Sequence, residues 1–132
     1  MTGEPLVVSL PIADRPTAFR FYQQALGFEA VGALADDGVP EPLQFVVNAG
    51  VRLMLIPRGG FGWVIGDGEV APVGLHEVQL VLTVGTETEV DAIIDRAVGA
   101  GAGLAVPPGR KPWGYTGSFT DPDGHLWMVR TD

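Results

Sequence analysis

The stretch that decides the fold lies near the start of the chain and reads LVVSLPIADRPTAFRFYQQALG over residues 6–27. Its first part, residues 6–12, is apolar, β-branched and too short for a stable helix, so it predicts a strand. Asp14 is a good helix N-cap, and Pro16 suits the first helical turn. Gly27 provides the usual helix stop. The stretch therefore predicts a strand that is followed directly by a helix.

The predicted helix carries one apolar stripe. Phe19, Tyr22 and Leu26 are spaced at i, i+3 and i+7, which places them on one helix face that should cover a sheet. Three further strand candidates follow, at residues 28–34, 43–49 and 51–57. The first half of the chain therefore has the order βαβββ.

The second half repeats this order. Residues 77–84 predict a strand, and Thr86 with Glu89 three positions later forms a capping box for the next helix. The DPDG sequence at 121–124 predicts a type I turn between the last two strands. The three strand candidates after the helix are residues 103–106, 113–120 and 125–130.

The predicted fold class is α+β, with two βαβββ modules whose half-sheets surround a cleft. The modules cover about residues 1–57 and 76–132 of one domain, and a glycine-rich loop over residues 58–75 joins them. The predicted core consists of the apolar positions on the strand and helix faces that must meet. These are Leu6, Val8, Leu10, Phe19, Tyr22, Leu26, Val78, Leu80, Leu82, Val90, Ile93, Ile94 and Ala97.

Composition limits the possible partners. The chain has 132 residues with 16 acidic and 8 basic side chains, a net charge of −8, which disfavours nucleic acid and anionic membranes. The absence of cysteine removes disulfides and thiolate metal sites. No secretory leader and no apolar run of about 18 residues is found, so we expect a cytoplasmic protein.

Two signatures resemble those of a known superfamily. Residues 11–32, PIADRPTAFRFYQQALGFEAVG, resemble the opening signature of the vicinal oxygen chelate superfamily, and residues 119–129, FTDPDGHLWMV, resemble its closing signature. The superfamily includes glyoxalases, bleomycin-resistance proteins and extradiol dioxygenases. The resemblance implies the paired-module fold. It does not select one chemistry, because the same scaffold supports metal enzymes and metal-free drug-binding proteins.

The resemblance also implies four positions for metal ligands, one on the first and one on the last strand of each module. Alignment of the two halves on their helix caps makes Val7 equivalent to Gln79, and matching LML at 53–55 with LWMV at 126–129 on the last strands pairs Met54 with Met128. Metal-binding members usually have glutamate where this chain has Met128. These four side chains offer no carboxylate and no imidazole to a divalent metal, and paired methionines are more often core residues than Cu(I) ligands. We therefore predict no metal and no other cofactor.

The remaining site candidates come from strand alternation and from exposed aromatic residues. Ser9 and Arg52 share their strand faces with the positions just named. Trp63 lies in the glycine-rich loop. Trp113, Tyr115 and Phe119 share one face of the strand at 113–120, and this face either lines the cleft or packs beneath a helix. The predicted ligand-binding set is Val7, Ser9, Arg52, Met54, Trp63, Gln79, Trp113, Tyr115 and Met128.

Three functions fit these residues. The first is a metal-free protein that binds or sequesters an aromatic or amphipathic organic molecule, as in antibiotic resistance. The alternative is a superfamily enzyme without a metal or with an atypical metal site, for which Glu77, His125, Arg52 and Tyr115 are the acid–base candidates. The third is an interaction protein. No catalytic residue is assigned. We expect a homodimer, because superfamily members build the cleft from two modules of one chain or of two chains, and the aromatic residues at 58–74 offer apolar area for a subunit contact.

The expected charge of the ligand depends on two arginines. The acidic balance of the chain favours a neutral or cationic ligand through long-range attraction. Arg52 and Arg130, if they point into the cleft, would instead favour an anionic group. The positions of these two side chains therefore decide between the alternatives.

Overall fold

A computed structural model describes residues 3–132 and divides the chain into two compact units. The first unit extends to Gln23 and includes Gly27–Ala71, and the second consists of Gln24–Leu26 and Pro72–Asp132. The elements up to residue 64 are β1 (Leu6–Ile12), α1 (Arg15–Leu26), β2 (Glu29–Val31), β3 (Leu43–Asn48), β4 (Val51–Pro57) and α2 (Arg58–Val64). Those that follow are β5 (Leu80–Thr83), α3 (Glu87–Gly99), β6 (Gly103–Lys111), β7 (Gly114–Thr120) and β8 (Leu126–Thr131).

Each module contains one four-stranded mixed sheet. The strand orders are β1-β4-β3-β2 and β5-β8-β7-β6. In each sheet the first and last strands of the module pair in parallel, and the remaining neighbours pair antiparallel. The α+β class and the two βαβββ modules are confirmed.

The ends of α1 follow the predicted capping chemistry. The Asp14 carboxylate accepts hydrogen bonds from the Thr17 amide at 2.9 Å and from the Thr17 hydroxyl, and these bonds lower the pKa of Asp14. Gly27 ends the helix in the left-handed conformation, with φ 65°. The cap and the glycine fix where the helix begins and ends.

The buried face of α1 is centred one position away from the predicted stripe. Ala18, Phe21, Tyr22 and Ala25 are buried, whereas Phe19 and Leu26 are only half-buried. Counting alanine as apolar gives the i, i+3, i+4, i+7 pattern that the stripe of large residues missed. The Tyr22 ring lies 5.7 Å from the Phe45 ring of β3, so an aromatic cluster joins this helix to its sheet.

Helix α3 packs differently, through aliphatic residues. Thr86 accepts a hydrogen bond from the Glu89 amide at 3.1 Å, so the predicted cap is confirmed. Val90, Ile94 and Ala97 are buried on the face of α3 that meets the sheet. A Cβ placed on Gly117 of β7 would lie only 3.0 Å from the Ile94 side chain, which shows how closely helix and strand approach.

Several predicted boundaries were wrong. The strand expected at 28–34 covers only β2, the one expected at 77–84 covers only β5, and the short strand at 103–106 continues to the end of β6. The predicted loop at 58–75 contains the helix α2, which has three glycines in seven residues and buries none of its side chains. The sequence did not predict α2, because each glycine in a helix is unfavourable by about 1 kcal/mol.

The predicted core is correct in part. Leu10, Tyr22, Val90, Ile94 and Ala97 are buried. The half-buried members are Val8, Phe19, Leu26, Leu80, Leu82 and Ile93.

Leu6 and Val78 were wrong as core residues, with exposures of 66% and 58%. Leu6 begins β1, whose burial is greatest near its other end, and Val78 precedes β5. Apolar alternation did not show where burial begins along the strand.

Helices in the described part of the chain, residues 3–132, are all too short or too polar to cross a lipid bilayer.

Candidate functional site: the open sheet faces

One face of the first sheet is turned away from the aromatic cluster, and we call it the first open face. The register places Val7, Arg52 and Val46 side by side in one row across β1, β4 and β3. The next row contains Ser9, Met54 and Gln44. All of these side chains except the exposed Val7 are half-buried. This face thus combines apolar side chains with a hydroxyl, an amide and one guanidinium.

Arg52 has one side-chain partner on this face. Its Nη1 atom donates to Oε1 of Gln44 at 3.4 Å. The ion pairs formed among residues 3–132 involve Arg15, Arg110 and Arg130 but not Arg52. The half-buried Arg52 guanidinium therefore has an amide oxygen beside it rather than a carboxylate.

The corresponding face of the second sheet is here called the second open face, although two of its side chains, Thr116 and Ser118, are buried. Met128 lies between Val81 and Ser118. In the next row, Arg130 lies between Thr83 and the buried Thr116. Arg130 pairs with Asp132, and its Nε atom is buried without a hydrogen-bond partner.

The register also agrees with the internal symmetry read from the sequence. Ser9 pairs with Met54 in the first sheet, and Val81 pairs with Met128 in the second. Ser9 and Val81 are separated by the same number of residues as Val7 and Gln79. The methionines that pair with Ser9 and Val81 therefore occupy equivalent positions in the two sheets. Gln79 is exposed and lies one residue before β5 begins, so the sheet does not hold it in place.

The four positions that the resemblance implies for metal ligands carry side chains that do not fit a metal. They are Val7 and Met54 in the first module and Gln79 and Met128 in the second. Neither pair contains a carboxylate or an imidazole, the donors that hard and borderline divalent metals require. Among residues 3–132, no three His, Cys, Asp or Glu side chains are grouped to hold a metal ion.

The aromatic candidates belong to different elements of the fold. Trp63 is 75% exposed on α2 in the first unit, and Trp113 is 60% exposed between β6 and β7 in the second. Tyr115 lies on the helix side of its sheet, where its hydroxyl donates to the Asp91 carboxylate at 2.6 Å. The assignment of Tyr115 to the ligand face was wrong, and the alternative of packing beneath a helix is correct.

The packing alternative also holds for Phe119, which is buried against Trp127 with ring centroids 6.5 Å apart. Strand alternation placed Tyr115 and Phe119 on one face correctly. It did not show which side of the sheet the helix covers, because both faces of β7 carry buried residues.

The closing signature has a structural role. The Asp121 side chain accepts hydrogen bonds from the amides of Asp123 and His125 at 2.9 and 2.8 Å. The Gly124 amide donates to the Asp121 carbonyl, which confirms the predicted turn. Gly124 has φ 86°, and a Cβ there would lie 2.7 Å from Val73. Glycine is therefore required at this position.

The predicted ligand-binding set left out three polar residues of the open faces, Gln44, Thr116 and Ser118. Gln44 alternates with Leu43 and Phe45, so its position opposite the core side was readable from the period of two. The partnership of Gln44 with Arg52 depends on strand pairing, which the sequence did not reveal.

The comparisons with known proteins agree with this architecture. The family model described as the Glyoxalase/Bleomycin resistance protein/Dioxygenase superfamily matches residues 6–129. No curated protein matches the chain.

Three solved structures illustrate the similarity. A glyoxalase-related enzyme from Fulvimarina pelagi is 28% identical, with a TM-score of 0.83 over 98% of this chain and 88% of that chain. An antibiotic binding protein from Streptomyces sp. CB03234 is 25% identical, with a TM-score of 0.65 over 97% and 94%. A superfamily member from Burkholderia phytofirmans PsJN is 18% identical, with a TM-score of 0.75 over 95% of each chain, and shows the shared fold. The chain belongs to the glyoxalase/bleomycin resistance protein/dioxygenase superfamily.

Proposed function

We propose that this protein binds an aromatic or amphipathic organic molecule on its open sheet faces without using a metal. The observation that carries the proposal is the composition of the first open face. Val46 and Met54 supply apolar contact area there, while Ser9, Gln44 and Arg52 supply a small number of polar groups. Small-molecule sites have this combination, in which apolar area gives affinity and a few polar groups fix orientation.

The chemistry of the metal positions supports the absence of a metal from this function. Thioether, isopropyl and amide groups are poor ligands for Zn²⁺, Mg²⁺, Mn²⁺ or Fe²⁺. A similar structure described as an antibiotic binding protein supports binding as a function for this scaffold.

Enzymatic activity has weaker support. Tyr115 is bonded to Asp91 on the helix side, Glu77 is exposed before β5, and the His125 amide belongs to the turn at Asp121. Of the four acid–base candidates, only Arg52 lies on an open face. A guanidinium stays protonated and is a poor general acid or base.

The proposed binding is testable by isothermal titration calorimetry with the neutral planar probe 2-acetonaphthone. Met54→Lys, which places a charge in the middle of the first open face, should weaken binding by at least about tenfold. Val98→Lys is the matched control, because Val98 is an exposed residue on α3. Unchanged affinity in a folded Met54→Lys protein would refute binding at this face.

The exposed aromatic residue of α2 is proposed to contribute to the same function. Trp63 offers an aromatic surface for stacking on a ligand or for contact with a second subunit. The proposed homodimer is checked by sedimentation at micromolar concentration. A Trp63→Ala variant distinguishes the two roles, because loss of stacking lowers probe affinity and loss of a subunit contact lowers the sedimentation coefficient.

A further inference from the structure

The first open face contains a cation, Arg52, with which no carboxylate of residues 3–132 forms an ion pair. Arg52 is half-buried between Val7 and Val46 of the neighbouring strands. The ion pairs among residues 3–132 leave it out, although the chain carries 16 acidic side chains. Other basic residues, such as Arg58 and Arg96, also form no ion pair within the described part of the chain, and what distinguishes Arg52 is its half-buried position on the first open face beside Gln44.

The nearest acidic residue in the same row does not neutralise Arg52. Glu29 lies on β2, beyond Val46, and is exposed. Val46 therefore separates its strand position from that of Arg52.

The side chain beside Arg52 is suited to orient it. Gln44 accepts from Nη1 through its amide oxygen, and an arginine has five N–H donors in a planar fork. One such bond leaves the other donors available to a second acceptor. Paired N–H donors of this kind bind the two oxygens of a carboxylate with matching geometry.

We propose that the ligand of the first open face carries an anionic oxygen group, of which a carboxylate is the simplest form, and that Arg52 binds this group. Gln44 is a positioning residue that holds the Arg52 fork toward the ligand. The proposal rests on the proposed binding function and specifies its ligand class. It replaces the cationic ligand expected from net charge, because the local partner of the ligand is a cation.

Arg130 on the second open face is a weaker candidate for the same role. Asp132 already pairs with its guanidinium, so an anionic ligand would have to displace a carboxylate. Substitutions at the two arginines therefore test which of them selects the ligand.

The experiment compares three naphthalene probes of similar size by calorimetry: 2-naphthoate, neutral 2-acetonaphthone and cationic 2-(aminomethyl)naphthalene. We expect wild-type protein to bind 2-naphthoate at least about tenfold more tightly than the cationic probe. Raising the salt concentration should reduce this preference, because salt screens partly exposed charges. Equal affinity for the charged probes, or tighter binding of the cationic one, overturns the proposal.

The variants locate the selectivity. Arg52→Gln should abolish the preference for 2-naphthoate while binding of 2-acetonaphthone stays within about threefold of wild type. Arg20→Gln is the matched control, because it removes the same charge from an exposed position on α1. Gln44→Leu should reduce the preference without abolishing it, whereas Gln44→Glu should abolish it, because a carboxylate at this position would pair with Arg52 and repel an anionic ligand.

The outcomes separate this inference from the proposed function. If no probe binds wild-type protein, the binding function itself fails. If the probes bind but Arg130→Gln, and not Arg52→Gln, removes the preference, the assignment to Arg52 is overturned while binding stands. If Arg52→Gln does not fold, the preference is measured with Arg52→Lys instead. Lysine keeps the charge but lacks the planar pair of N–H donors, so this variant should retain only part of the preference for 2-naphthoate.

Discussion

The two modules have the same topology and the same strand register around Met54 and Met128, but they use different side chains on both sides of their sheets. On the helix side, the first module joins α1 to its sheet through Tyr22 and Phe45, whereas the second packs the aliphatic side chain of Ile94 closely against β7. The two modules thus share their topology and helix capping, but different side chains pack the helix against the sheet in each.

The open sides differ in how their arginines are partnered. Arg52 has a neutral amide partner, Gln44, and Arg130 has a carboxylate partner, Asp132. Met54 and Met128 occupy equivalent positions in their sheets, but Arg52 and Arg130 do not. Arg52 lies beside Val7, one row before its methionine, and Arg130 lies beside Thr83, one row after its methionine. The comparison indicates that the scaffold fixes where side chains project and leaves their chemistry free to change.

The largest expected effect tests the two helix-side packings. Phe45→Ala in the first module should destabilise the protein by about 3–5 kcal/mol, and Ile94→Ala in the second by about 2–5 kcal/mol, because each creates a cavity in a buried site. Chemical denaturation measures both. A cost below about 1 kcal/mol for either variant would show that its helix face does not pack as described.

A smaller effect concerns the helix cap of the second module. Thr86→Ala removes the hydroxyl that accepts the Glu89 amide, and we expect a loss of about 1 kcal/mol in the free energy of unfolding. The same change at Thr88, an exposed position within α3, is the control and should be nearly neutral. Equal effects at both positions would remove the capping explanation.

The first module contains α2, and its glycines permit a stabilising substitution. Gly59 lies in α2 with open space around the position of a Cβ, so Gly59→Ala should stabilise the protein by about 0.4–1 kcal/mol. Gly66→Ala should destabilise it, because Gly66 has φ 86°. A destabilised Gly59→Ala protein would contradict the helical assignment of this segment.

The smallest expected effect depends on pH and belongs to the second module. The hydrogen bond to Asp91 raises the pKa of Tyr115 above its usual value. A raised pKa means that folding favours the protonated phenol, so this stabilisation is present below the ordinary phenol pKa of about 10. It is lost as pH rises through the raised value in the folded protein.

Tyr115→Phe should therefore lower Tm slightly at pH 7, and the difference from wild type should shrink above about pH 10. Thermal unfolding followed by circular dichroism over this pH range measures the change. A difference in Tm that is absent at pH 7, or constant up to pH 11, would contradict the role of the bond to Asp91.

The sequence predicted the order of the βαβββ elements, the caps at Asp14 and Thr86, and the symmetry between Met54 and Met128. Each of these depends on local chemistry or on simple periodicity. Gln79 shows the limit of this reasoning, because residues before β5 have the composition of a strand but no strand partner. The partners of Arg52 and Tyr115 were not predictable, since they depend on which strands become neighbours and on which sheet face the helix covers.

The central claim is that this chain uses its scaffold to bind an organic molecule without a metal. The most direct test is calorimetry with 2-naphthoate on chelator-treated protein, repeated after separate addition of Zn²⁺, Mn²⁺ and Fe²⁺. We expect the same affinity in every case and no stoichiometric metal in the purified protein. Binding that disappears with the chelator and returns with one of these metals would contradict it.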